Sequence, residues 1–235
     1  MRYALYFTPD RDHPLTRLAA AWLGRDVFTG AALQPPVVAA FSAAEVAFHT
    51  AAARRYGFHA TLKAPFALAP GETEASLAAA LESFTAARGP VSMPALKVAR
   101  LGGFFALVPS APAPEMEAFA GDVVRDFDRF RAPLSESELE RRNPDALSAI
   151  EFANLTRWGY PYVFEAFRFH MTLTGRIGAN DAARIEETLQ SLFGPLVAQP
   201  VALDSLTLFV EPEPGAPFTV LAHRPLGRRE ERKTA

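Results

Sequence analysis

The chain alternates between segments with period-two polarity and segments whose apolar residues recur every three or four positions, the marks of half-buried strands and amphipathic helices. This pattern predicts a first strand over Arg2–Thr8, stopped by Pro9-Asp10, then a helix from Pro14 to Gly24 carried by Leu15, Leu18, Ala19 and Trp22. Ser42-Ala43-Ala44-Glu45 has the form of a capping box and starts a helix reaching about Arg54. A strand is expected from Tyr56 to Phe66, followed by a helix from Glu72 to Arg88 with Leu77, Leu81 and Phe84 on one side. Val91–Arg100 and Phe104–Val108 read as a hairpin around Gly102-Gly103. Helical patterns follow at Glu115–Arg131, Ser135–Arg142 and Pro144–Trp158, the last with Asn143 as its N-cap. A strand over Glu165–Gly175, a helix over Asp181–Phe193 ended by Gly194-Pro195, and strands over Val201–Val210 and Phe218–His223 complete the pattern. The charged stretch from Gly227 to Ala235 reads as a disordered tail.

One order of elements occurs twice: strand, helix, Gly-Pro, strand, turn, strand. Gly89-Pro90 and Gly194-Pro195 hold matching places in the two copies. The expected fold class is therefore α+β, with two pseudo-symmetric lobes, each an antiparallel sheet with packed helices, in one bilobal domain over residues 1–226. The first lobe is expected over about 56–110 and the second over about 165–226, with the helices of about 115–158 inserted between them.

The two strands that open the lobes nearly repeat each other, as Phe58-His59-Ala60-Thr61-Leu62 and Phe169-His170-Met171-Thr172-Leu173. Residues two apart on a strand share a face. His59, Thr61 and Lys63 thus share one face of the first copy, and Arg168, His170 and Thr172 share one face of the second. The opposite faces carry Phe58, Ala60 and Leu62, and Phe167, Phe169, Met171 and Leu173. Each strand is apolar behind, with a histidine, a hydroxyl and a cation in front. Imidazole, with an ordinary pKa of about 6.5, serves as base or acid near neutral pH. Two facing histidines supply both proton transfers of a phosphodiester hydrolysis, and two threonine hydroxyls stabilise the charge that develops on phosphorus oxygens. Lys63 and Arg168 are expected to add positive charge, and Tyr56 and Tyr6 to contact the ligand. The near-symmetry of the two copies leaves open which histidine is the base.

Twin His-x-Thr motifs in a duplicated chain resemble the 2H phosphoesterase superfamily. The wider runs Arg55–Pro65 and Phe167–Gly175 resemble a branch of that superfamily associated with bacterial phosphonate-utilisation operons. The resemblance spans most of the chain, from the first strand to about Leu226. It implies a central cleft between lobes related by a pseudo-twofold axis. It further implies His59, Thr61, His170 and Thr172 as catalytic residues, and metal-independent hydrolysis of a small sugar or nucleotide cyclic phosphate.

Composition narrows the alternatives. A hydrophobic content of 49% with 21% charged residues is that of an ordinary globular protein. A net charge of −2 disfavours, without forbidding, RNA cyclic-phosphate end processing, and so points to a small phosphorylated substrate held by a local cluster of cations. The absence of cysteine removes thiolate metal sites and cysteine nucleophiles. Neither His59 nor His170 has an acidic residue at metal-ligand spacing in the chain, so neither metal nor other cofactor is expected. The chain has no apolar run of membrane-spanning length, and a cytoplasmic protein is expected. A non-catalytic phosphoester-binding protein is the remaining reading.

Overall fold

The structure is a computed structural model that describes residues 1–227. The charged tail expected beyond Gly227 lies outside the described residues. Eight strands form one antiparallel sheet: β1 (Arg2–Phe7), β2 (Ala60–Phe66), β3 (Val91–Leu101), β4 (Phe104–Pro109), β5 (Met171–Thr172), β6 (Pro200–Leu203), β7 (Ser205–Glu211) and β8 (Thr219–Pro225). Their spatial order is β6-β3-β4-β5-β2-β1-β7-β8, so the two motif strands are central neighbours. Three strands flank them on either side, which is the pseudo-twofold arrangement of an α+β fold with two related halves.

The halves do not follow the chain as expected. The strands after each motif were expected to stay in their own lobe, over 56–110 and 165–226. Instead β3 and β4 pair on the β5 side, whereas β1, β7 and β8 lie on the β2 side. Each half is thus built from exchanged segments. The cause lies at Asp204, the single residue between β6 and β7. β6 pairs with β3 at one edge of the sheet, and β7 pairs with β1 and β8 toward the other. One residue spans about 3.5 Å, so the sheet curls until its two ends meet there. The strand expected over Val201–Val210 is one nearly continuous run shared between both halves.

Helices α1 (Pro14–Leu23), α2 (Ala43–Arg54), α3 (Glu74–Ala86), α4 (Pro114–Phe127), α5 (Glu136–Glu140), α6 (Ala149–Trp158) and α7 (Ala179–Val197) complete the fold among the described residues. α3 packs on β7 and β8, α4 on β2 and β3, and α7 on β3. One apolar core runs beneath both halves and takes in Phe58, Ala60, Leu62, Phe167, Phe169, Met171 and Leu173, the face expected to be buried. A smaller cluster of Ala4, Tyr6, Val27, Phe209 and Phe218 lies apart from it.

Several ends differ from expectation for local reasons. Asn143 is left-handed (φ +48°) and caps nothing with its side chain, and Ser148 makes the capping box with Glu151 instead. α7 runs through Pro195 to Val197, because Phe193 and Val197 are both buried on the core side. The strand expected over Glu165–Gly175 keeps a ladder only at Met171–Thr172, since Phe164–Ala166 forms a 3₁₀ turn with Phe164 at φ +52°.

Candidate active site

The ladder of the two motif strands is centred on Ala60 opposite Met171. One step outward on either side sets His59 across from Thr172 and Thr61 across from His170, all four on the face away from the core. A twofold axis through the Ala60–Met171 pair exchanges the two motifs. The histidines are diagonal neighbours in this register, roughly 7–8 Å apart at the backbone.

Each imidazole is held by the same device. His59 Nδ1 lies 2.9 Å from the Gly57 carbonyl, and His170 Nδ1 lies 2.8 Å from the Arg168 carbonyl. A carbonyl oxygen only accepts, so Nδ1 donates in both rings, and each neutral ring presents its lone pair at Nε2. Thr61 Oγ1 lies 3.3 Å from His59 Nε2. Gly57 is required here because its φ is +75° and an added Cβ would stand 1.8 Å from Val27 Cγ1.

The two rings differ in their cover. Tyr6 is opposite Thr61 on the far side of β2, and its ring stacks on His59 with centroids 3.9 Å apart and an interplanar angle of 25°. The matching position beside Thr172 is Ala106, too small to cover His170. His59 is consequently buried, whereas His170 is half-exposed against Phe104, 5.9 Å away. Burial pulls the His59 pKa down to about 4, against the Gly57 hydrogen bond that raises it, and the neighbouring His170 lowers it further. Burial likewise pushes the Tyr6 phenol well above its ordinary value, so it stays a neutral O–H donor.

A cavity of about 370 Å³ opens over this face. Its floor is Tyr6, His59, Thr61 and Thr172, with Arg2 and Tyr56 beside them, and its roof comes from Leu134, Glu138, Arg141 and Arg142 of the inserted segment and from Tyr160 just after it. His170 flanks this cavity and is not among the side chains that line it. The structure thus brings together His59, Thr61, Thr172, Tyr6 and Tyr56.

Lys63 and Arg168 are placed elsewhere. The β1–β2 register slips between Tyr6↔Thr61 and Leu5↔Lys63, which inserts an extra residue and breaks the alternation that carried Lys63 to the histidine face. Its ammonium is buried, 3.0 Å from Asp128 and 3.3 Å from the Val124 carbonyl. Arg168 is exposed and turns back to the Glu165 and Phe167 carbonyls. The cations that do line the cavity are Arg2, Arg141 and Arg142. Arg2 stands opposite Glu211, which also binds Arg55. Arg2 was missed by sequence reasoning; its one signal is that it lies four residues before Tyr6 on β1, and so on the same face of the strand. Arg141-Arg142 carries no signal of its own, because only the fold brings the insertion over the motif strands. Among the described residues there is no cluster of three or more His, Asp or Glu side chains arranged to hold a metal ion, and no helix is long and apolar enough to cross a membrane.

Comparison with known proteins adds relatives to this geometry. The chain is 40% identical over 98% of its length to "Ribose 1,5-bisphosphate phosphokinase PhnN" of Janthinobacterium sp. (strain Marseille), covering 52% of that protein. It is 39% identical over 93% of its length to the protein of the same name from Laribacter hongkongensis (strain HLHK9), covering 50% of it. The chain thus spans about half the length of the curated relatives it matches. Among solved structures, "Crystal structure of phosphoesterase" aligns over 97% of this chain and 99% of that one at 12% identity and a TM-score of 0.41. The structure of TT0787 from Thermus thermophilus aligns over 97% and 100% at 16% identity and a TM-score of 0.44. The family described as "Protein of unknown function (DUF1045)" matches residues 61–219, from the first motif threonine to the start of β8, and the chain belongs to that family.

Proposed function

We propose that the protein hydrolyses a cyclic phosphodiester on a small phosphorylated sugar by metal-independent acid–base chemistry between His59 and His170. The observation that carries this reading is the pairing of the two motifs across Ala60–Met171, which groups two Nε2 atoms and two hydroxyls on one face beside an arginine-lined cavity. Buried and neutral, His59 is the base: its Nε2 takes a proton from water as the water oxygen bonds to phosphorus. The ring P–O bond opposite breaks, and the leaving oxygen takes the proton of His170, the more exposed ring. One water is consumed and one phosphomonoester is formed. Thr61, Thr172 and the Tyr6 phenol donate to the non-bridging oxygens as their charge grows. Solvent then returns the rings to their starting protonation.

The resemblance to the phosphonate-operon branch of the 2H phosphoesterases agrees with relatives bearing the PhnN name. Their printed activity is a phosphokinase acting on ribose 1,5-bisphosphate. This chain carries no Gly-rich nucleotide loop, so in this reading it handles a phosphorylated ribose and does not itself transfer phosphate from a nucleotide.

The test is a panel of ribose and nucleoside cyclic phosphates incubated with the protein in EDTA, followed by ³¹P NMR. The expected result is conversion of at least one ring phosphorus to a monoester resonance. Turnover that needs an added divalent cation, or binding of every compound without ring opening, overturns the reading.

A further inference from the structure

The cavity holds more positive charge than one cyclic phosphate needs, and the charge is divided between floor and roof. A cyclic phosphodiester is a monoanion, and the floor already offers it two threonine hydroxyls, the Tyr6 phenol and Arg2. Arg2 is paired with Glu211, which it shares with Arg55, so part of its charge is met within the protein. The roof is different. Arg142 lies over the Tyr160 ring, 5.1 Å from its centroid, and no carboxylate comes within 4.0 Å of it among the described residues. Arg141 spends its Nε on the Ser137 carbonyl at 3.2 Å, which leaves both Nη groups open. The one roof carboxylate, Glu138, is occupied by its own helix start: it accepts from the Ser135 backbone N–H at 2.9 Å and from the Ser135 hydroxyl at 3.0 Å.

We propose that the substrate carries a second phosphate, a monoester remote from the scissile ring, seated between Arg141 and Arg142 of the inserted segment. This rests on the hydrolase reading of the floor. The guanidinium fork matches phosphate oxygens in pairs, and two adjacent forks suit a dianion. Tyr160 and Tyr56 line the cavity between roof and floor, where a sugar ring would lie with one phosphate at each end. The inserted helices thereby acquire a role: they set substrate choice, selecting a cyclic phosphate that is also phosphorylated at its far end over one that ends in a hydroxyl.

The experiment measures equilibrium binding by calorimetry, and turnover in the same samples, for ribose 2,3-cyclic phosphate and its 5-phosphorylated form. The 5-phosphate is expected to tighten binding to the wild-type protein by about 10- to 100-fold, the range for one or two charge-assisted hydrogen-bond pairs. The Arg141→Gln/Arg142→Gln double variant should bind both compounds alike. The Arg141→Lys/Arg142→Lys variant, which keeps the charge but loses the fork, should recover part of the preference and guards against a folding defect. Equal wild-type affinity for the two compounds, or no binding of either, overturns the proposal. Equal affinity with turnover of both leaves the hydrolase reading standing. A wild-type preference that the glutamine variant retains also overturns the proposal. A preference lost in that variant, with no turnover of either compound, supports the arginine site and overturns the hydrolase reading instead.

Discussion

Burial of His59 makes the fold sensitive to acid through one identifiable group. In the unfolded chain its imidazole protonates near its ordinary pKa of about 6.5. In the native protein the ring is buried against Tyr6, and it protonates only near about 4. Between those values the unfolded state binds a proton that the native state refuses, so stability falls as pH drops from about 6.5 and levels off below about 4. The linkage amounts to about 2 kcal/mol by pH 5 and about 3 kcal/mol by pH 4. Carboxylates such as Glu211 and Asp128, which burial pushes up but paired arginine and lysine hold below their ordinary values, also lose stabilisation in acid, so the informative quantity is a difference between proteins. Urea unfolding of the wild type and of His59→Gln at pH 7, 6, 5 and 4.5 isolates it. The wild type should lose about 2 kcal/mol more than the variant between pH 7 and pH 5. Parallel losses in the two proteins would refute a desolvated, neutral His59 and with it the assignment of this ring as the base.

Further outcomes follow from the packing around the motif strands. Gly57→Ala places a Cβ 1.8 Å from Val27 in a left-handed backbone and should destabilise by roughly 2–5 kcal/mol, of which adding Val27→Ala recovers the steric part; chemical denaturation measures both. Asp128→Ala leaves the Lys63 ammonium buried without its carboxylate and should cost about 3 kcal/mol, whereas Lys63→Met with Asp128→Ala should fold nearly as stably as the wild type. Thr61→Val and Thr172→Val should each lower kcat by roughly 10²- to 10³-fold on a cyclic phosphate with little change in Tm, and an unchanged kcat in both removes the hydroxyls from the mechanism.

Local chemistry was legible in the sequence, and long-range placement was not. The face split of the motif strands, the Ser42 capping box, the Gly24 helix end and the Gly102-Gly103 hairpin each depend on residues a few positions apart, and each is found where expected. Lys63 was misplaced because a β-bulge depends on the partner strand, which period-two counting ignores. The exchange of strands between halves turns on Asp204, one ordinary residue in an apparently continuous strand. Arg141 and Arg142 carry no such signal, since nothing near them in the chain indicates that the inserted segment covers the histidine face. The difference between His59 and His170 was also hidden, because it comes from Tyr6 and Ala106 on flanking strands and not from the motifs.

The joint action of the two imidazoles is tested most directly by a double-mutant cycle on a cyclic phosphate that the wild type turns over, with kcat measured for His59→Ala, His170→Ala and the pair. Groups that serve one phosphorus centre as a unit are strongly non-additive. Each single variant should fall by at least about 10³-fold, and the double variant should be scarcely slower than either. Wild-type turnover in either single variant, or losses that multiply in the double variant, would contradict the account.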